Sequence, residues 1–117
     1  MSICPDIVRQ RLIVEGIHDL GDIDATTISA FLRGLSDRLG MTPIADTFIF
    51  SPDAVSTLHH GIGGFQPWAE SGCSLYTWRE QRLFTLDIYS CKGFCADECL
   101  QYVQERLRPY ALEWRLV

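Results

Sequence analysis

The sequence has little that would place it outside the ordinary small globular class. Basic residues are scarce: ten Lys and Arg face fifteen Asp and Glu, giving a net charge of −5 and a pI near 5.0. No basic cluster is long enough to follow a phosphate backbone, so nucleic acid is excluded as the expected partner. No apolar run approaches the roughly 18 residues of a membrane span. The stretch from Met1 to Arg11 lacks the apolar core of a secretion signal. A cytoplasmic protein without a membrane partner is the expectation. Repeats, low-complexity tracts and linker-like segments are also missing, so the 117 residues read as one domain, 1–117.

Cysteines are few and odd in number: Cys4, Cys73, Cys91, Cys95 and Cys99. An odd set with no secretion signal argues against a disulfide framework. The spacing of Cys91, Cys95 and Cys99 could put three thiols on one helical face. Cys91, however, reads as a strand end, and metal sites favour shorter gaps completed by His or a fourth Cys. No metal is expected, and Cys95 and Cys99 read as small buried residues of a helix.

What the chain does have is core material, with 47% apolar residues. Residues 9–18 read as a first strand. Asp24 or Thr26 can cap a helix in which Ile28, Phe31, Leu32, Leu35 and Leu39 form one stripe, with Gly40 beyond its end. A second strand is expected over 43–50, a loop over 51–64, and strands over 73–80 and 83–90 joined at Gln81-Arg82. A second helix presents Cys99, Leu100, Val103 and Leu107 and stops at Pro109. Leu112, Trp114 and Leu116 alternate as a last strand. The order β-α-β-β-β-α-β predicts a two-layer α+β sandwich, mainly antiparallel, with both helices on one sheet face. The other face then needs cover, and in so small a domain a second copy of the chain is its simplest source.

Strand alternation sorts the candidate chemistry. Ser74, Tyr76, Trp78 and Glu80 share one face, opposite Leu75, Thr77 and Arg79. In the next strand Thr85, Asp87, Tyr89 and Cys91 oppose Phe84, Leu86 and Ile88. A polar, aromatic face that ends in a thiol is a candidate site.

Three segments carry a more specific signal. Glu70-Ser71 followed by Ser74-Leu75-Tyr76-Thr77-Trp78-Arg79-Glu80 resembles the self-cleavage segment of prokaryotic S-adenosylmethionine (AdoMet) decarboxylases, Glu-Ser-His then Leu-Ser-Ile-His-Thr-Trp-Pro-Glu. Cys91 follows Trp78 by thirteen residues, the family's own spacing, in the similar strand Phe84-Thr85-Leu86-Asp87-Ile88-Tyr89-Ser90. Phe50-Ser51-Pro52-Asp53-Ala54-Val55-Ser56 resembles the family's Phe-x-Pro-x-Gly-Val-Ser. The resemblance implies the AdoMet decarboxylase fold, a homodimer, and AdoMet as substrate. It further implies Phe50 stacking on adenine, Glu80 holding the ribose hydroxyls, and cleavage between Glu70 and Ser71. Ser71 would become a pyruvoyl group, Cys91 would donate a proton to the product carbon, and Ser56 would assist processing.

The departures shape the functional expectation. Tyr76 stands where the family has a proton-abstracting His, and a phenol of pKa ~10 is a poor base at neutral pH. Gly72 replaces a His, Arg79 replaces a Pro, and an inserted stretch, 57–64, brings His59 and His60 as further catalytic candidates. A different register sets Gly61-Ile62-Gly63-Gly64 against Gly-Val-Ser-Gly and loses the processing Ser. The leading expectation is therefore an AdoMet-utilising enzyme that stays uncleaved, lacks a pyruvoyl group and acts by methyl transfer, lyase chemistry or cyclisation. The alternatives are a pyruvoyl-dependent decarboxylase of AdoMet or another amino acid, serving polyamine biosynthesis, and an inactive paralogue that binds a ligand or regulates a partner.

Overall fold

The computed structural model describes residues 2–117. Strand β1 (Gln10–Ile17) leads to helix α1 (Ala25–Leu39), then β2 (Phe48–Phe50), β3 (Gly63–Trp68), β4 (Ser71–Trp78), β5 (Leu83–Ser90), helix α2 (Ala96–Leu107) and β6 (Ala111–Leu116). The strands form one antiparallel sheet in the order β2-β3-β4-β5-β1-β6. The two-layer α+β sandwich is thus as expected, with one strand more than the sequence pattern suggests.

Helix α1 begins where Asp24 accepts the Thr27 N–H at 2.8 Å, so Asp24 and not Thr26 is the cap. It ends at Gly40, whose φ of 69° is the left-handed turn that glycine adopts without strain. Its buried stripe of Ile28, Phe31, Leu32 and Leu35 packs on the sheet face formed by Leu12, Val14, Leu75, Phe84, Leu86 and Ile88. Each such side chain contributes about 1.5–3 kcal/mol relative to staying exposed. Helix α2 adds Cys99, Tyr102, Val103 and Leu107 to the same core, and Tyr102 Oη donates to Phe31 O at 2.8 Å to tie the helices together. Cys95 is not buried as expected. It occupies the position before α2 and is exposed, because the chain has not yet turned onto the core.

Strand β3 replaces the second half of the expected 51–64 loop. Its sequence, Gly-Gly-Phe-Gln-Pro-Trp, reads as a loop because its glycines serve packing. A Cβ at Gly63 would come within 2.5 Å of the Phe50 ring, and one at Gly64 within 2.6 Å of Ile28. Pro67 is tolerated because β2 pairs only with residues 63–65, so no β2 carbonyl needs the N–H that proline lacks, while its own carbonyl accepts the Ile44 N–H at 3.3 Å. The expected strand over 43–50 shrinks to Phe48–Phe50, with an isolated bridge from Pro43 to Trp68. Trp68 is buried, and its indole donates to Ser36 Oγ at 2.7 Å.

The sheet face away from the helices carries Ile13, Phe65, Tyr76 and Tyr89, each 40–44% exposed, with Phe48 more exposed at its edge. Strand β4 ends at Trp78, so Glu80 lies in the β4–β5 turn and not on the strand face assigned to it.

Candidate active site

The β3–β4 hairpin turns on two residues, Ala69 and Glu70, with Trp68 paired to Ser71. Glu70 adopts φ 71°. That left-handed conformation is uncommon for a residue with a side chain and stores roughly 1–3 kcal/mol of strain. Opposite the turn, β5 ends at Ser90, which pairs with Ser71. The next residue, Cys91, donates its backbone N–H to Glu70 O at 2.9 Å, and its thiol lies 3.1 Å from the same oxygen. One carbonyl therefore receives two donors, the arrangement that stabilises negative charge developing on an oxygen.

Ser71 Oγ lies 2.8 Å from Ser90 Oγ. Ser90 is buried, donates its proton to Lys92 O, and accepts the Lys92 N–H at 2.9 Å. A serine has one proton to give, so Ser71 is the donor to Ser90. The result is a hydrogen-bonded relay from Ser71 through Ser90 to a backbone carbonyl, beside a strained and polarised peptide bond. Beside Ser71 and Gly72 a cleft of about 400 Å³ opens on the uncovered sheet face, lined also by Arg11, Phe65, Asp87 and Tyr89. Burial in that lining raises the Asp87 pKa above the usual carboxylate value. Arg11 lies over the Tyr89 ring at 5.2 Å. The remaining core thiols are inert by comparison: burial pushes Cys99 up to about 12 and Cys73 higher still.

A second group gathers at the other end of β4. Phe50 packs on Tyr76 with centroids 5.1 Å apart, and Phe48 on Phe50 at 5.9 Å. His59 stacks on Trp78 at 4.0 Å and 12°, and lies 6.1 Å from Tyr76. The inserted stretch is held down by a dense polar net. Asp53 accepts the Gly61 N–H at 2.7 Å and pairs with Arg79 at 3.0 Å, which lowers its pKa. Ser56 Oγ accepts the N–H groups of Leu58 and His59 at 3.1 and 3.0 Å, so its hydroxyl organises the loop. His60 Nε2 donates to Ser56 O at 2.9 Å. Gly63 stands opposite Tyr76 in the β3–β4 register.

The family model for S-adenosylmethionine decarboxylase matches residues 13–117. The chain belongs to the S-adenosylmethionine decarboxylase family. It is 39% identical over 111 residues to an S-adenosylmethionine decarboxylase proenzyme of Picrophilus torridus, covering 88% of this chain and 82% of that one. It is 31% identical over 106 residues to the proenzyme of that name from Thermoplasma acidophilum, covering 87% and 81%. The fold resembles the crystal structure of the adenosylmethionine decarboxylase from Aquifex aeolicus, with a TM-score of 0.70 at 20% identity over 95% of this chain and 89% of that one.

The structure of this AdoMet decarboxylase-family chain brings Glu70, Ser71 and Cys91 together, and sets Phe50, Tyr76, His59, His60 and Ser56 apart from them. Ser71 and Tyr76 are five positions apart on one strand, roughly 16 Å at strand rise, and face opposite sides of the sheet. Glu80 is exposed in its turn. No group of three or more His, Cys, Asp or Glu side chains poised for a metal ion occurs among the described residues. Two participants were absent from the sequence expectations. Ser90 was detectable as a hydroxyl on the core side of β5, where a polar group needs a partner. Asp53 gave no sequence signal, since its partner Arg79 lies 26 positions away.

Proposed function

We propose that the chain is a pyruvoyl-dependent decarboxylase proenzyme that cleaves itself between Glu70 and Ser71 and then acts on AdoMet or a related amino acid. The observation that carries this reading is the doubly donated Glu70 carbonyl beside the hydrogen-bonded Ser71 hydroxyl. Relatives named proenzymes support it over the expectation of an uncleaved chain acting by other chemistry. The donor set fits the group that cleavage would create. Ser71 is the residue type that can become a pyruvoyl, and the carbonyl it must attack is already polarised.

The residues divide the work as follows. Ser90 accepts from the Ser71 hydroxyl and orients its oxygen. Ser71 Oγ adds to the Glu70 carbonyl carbon, while the N–H and thiol of Cys91 hold the oxygen as it gains charge. The Glu70–Ser71 C–N bond then breaks, the hydroxyl proton passes to the departing Ser71 nitrogen, and an ester with a free amine is left. Relief of the Glu70 conformation favours this step. Once formed, a pyruvoyl group supplies an electrophilic ketone for an amine and an electron sink for loss of CO2. Cys91 remains beside that position as a proton source for the product carbon, and the adjoining cleft admits the substrate.

A homodimer completes the site in this reading. The two half-sites lie at opposite ends of β4, and the exposed Ile13, Phe65, Tyr76 and Tyr89 form an apolar face that wants cover. Packing two such faces antiparallel about a two-fold axis would set the Tyr76 end of one protomer against the cleft beside Ser71 of the other. Phe50 and Glu80 of one copy would then serve adenosine at the partner's Ser71. Five free cysteines suit a reducing cytoplasm.

Intact mass of the purified chain tests the reading. Two fragments divided between Glu70 and Ser71 support it, and a single species at 13.3 kDa after prolonged incubation sinks it. In that case an uncleaved AdoMet-binding protein becomes the better account, a reading favoured by two observations. Gly63 faces Tyr76 where the second register expects the processing Ser, and the Ser56 hydroxyl is engaged in its own loop.

A further inference from the structure

The self-processing reading leaves one role without a residue. Breaking the ester requires a base to take the Cα proton of residue 71, and a phenol at Tyr76 is unsuited to it. We infer that His59, delivered by the inserted stretch, is that base, and that it acts on Ser71 of the partner subunit. The inference rests on the proposed self-cleavage and homodimer.

The geometry fixes the state of this imidazole. His59 Nε2 lies 2.7 Å from Thr77 O. A carbonyl oxygen can only accept, so in the neutral ring Nε2 carries the proton and Nδ1 the lone pair. No hydrogen bond occupies Nδ1 among the described residues. The ring plane is held as firmly as the tautomer, by the 4.0 Å stack on Trp78. A carbonyl behind Nε2–H also stabilises the imidazolium that forms when Nδ1 takes a proton. That pairing of an oriented ring with an acceptor behind it is how a histidine base is prepared. His60 also donates through Nε2, to Ser56 O, but makes no ring contact with the aromatic row.

The chain has a device for putting His59 there. Arg79, which stands where the family has a proline, grips Asp53 at 3.0 Å and donates its own N–H to His60 O at 2.8 Å. Asp53 in turn holds Gly61. The insertion is thereby clamped at His60 and Gly61, directly after His59, which lies 6.1 Å from the Tyr76 ring.

The step balances without an oxidant. His59 Nδ1 takes the Cα proton, the Cβ–Oγ bond breaks, and Glu70 leaves as a carboxylate, leaving a carbon–carbon double bond at residue 71. The enamine regains a proton on carbon, and water hydrolyses the resulting imine, releasing ammonia and leaving the ketone.

The test follows cleavage by intact mass in fresh wild type, His59→Ala and His59→Gln, with unfolding curves to confirm that each variant folds. Glutamine keeps a donor for Thr77 O but is no base. The wild type should cleave, and both variants should slow by about 10²-fold or more. Added imidazole should restore cleavage of His59→Ala with a pH profile set by the added base. Co-expressing His59→Ala with Ser71→Ala should restore cleavage of the His59→Ala chain alone, because mixed dimers pair its Ser71 with an intact His59. Variants that cleave at the wild-type rate overturn the assignment to His59 while leaving self-processing intact. Slow variants rescued by neither imidazole nor mixing also overturn it, since His59 would then act only through structure. A wild type that never cleaves removes the parent reading itself.

Discussion

The scissile region shows how much one residue's surroundings decide. Cys91 holds Glu70 O through both its N–H and its thiol. Cys91→Ala keeps the backbone donor and loses the other, so cleavage should slow by about 10²–10³-fold, the cost of one lost oxyanion donor. A mass time course at fixed pH reads this directly, and an unchanged rate would remove the thiol from the step. Ser90→Ala should slow cleavage as well, and should cost about 1–3 kcal/mol of stability by leaving buried polar partners unmet. His18 adds to the acid sensitivity of the fold. It is buried and accepts the Leu20 N–H through Nδ1 at 3.2 Å. Burial first, and Arg82 second, lower its pKa below 6.5, with Asp19 opposing. The unfolded chain therefore binds this proton more readily than the folded one. The stability it contributes is full above about pH 6.5 and falls as pH drops toward the lower folded value. The urea midpoint should decline between pH 7 and about 5.5, and His18→Gln should flatten that decline.

At the scale of elements, legibility follows from what each residue is for. Strands β4 and β5 alternate cleanly because one face packs on helices and the other does not, so Leu75, Phe84, Leu86 and Ile88 announced the core. Helix α1 was equally plain, with a stripe, a cap and a terminal glycine. Strand β3 was not, because its glycines answer to Phe50 and Ile28, which are distant in sequence, and its proline to the shortness of β2. The same limit applied to the site. Glu70, Ser71 and Cys91 could be recognised from spacing, whereas Ser90 needed the β4–β5 register and the Asp53–Arg79 clamp needed the folded loop. Gly64 gives a direct test of the β3 account. Gly64→Val would drive methyl groups into Ile28 and Leu32, and should lower stability by about 1–3 kcal/mol in urea titration. A neutral effect would mean that α1 sits farther from β3 than the structure has it.

For the whole molecule, the decisive surface is the sheet face without helices. If it is the dimer interface, the protein should sediment at twice 13.3 kDa, and Ile13→Glu, which buries a charge there, should yield monomers that still fold. Monomers should also fail to cleave, because neither half-site can reach the other. Sedimentation and intact mass on the same sample check both points. Monomers that process normally would mean that one protomer suffices.

The strand order has a consequence for the matured protein. A cut after residue 70 yields one piece carrying β1, α1, β2 and β3 and another carrying β4, β5, α2 and β6. Strand β1 of the first piece lies between β5 and β6 of the second, hydrogen-bonded to both. The two pieces are thus interlaced like fingers of clasped hands, and severing the chain should free neither until the whole sheet melts.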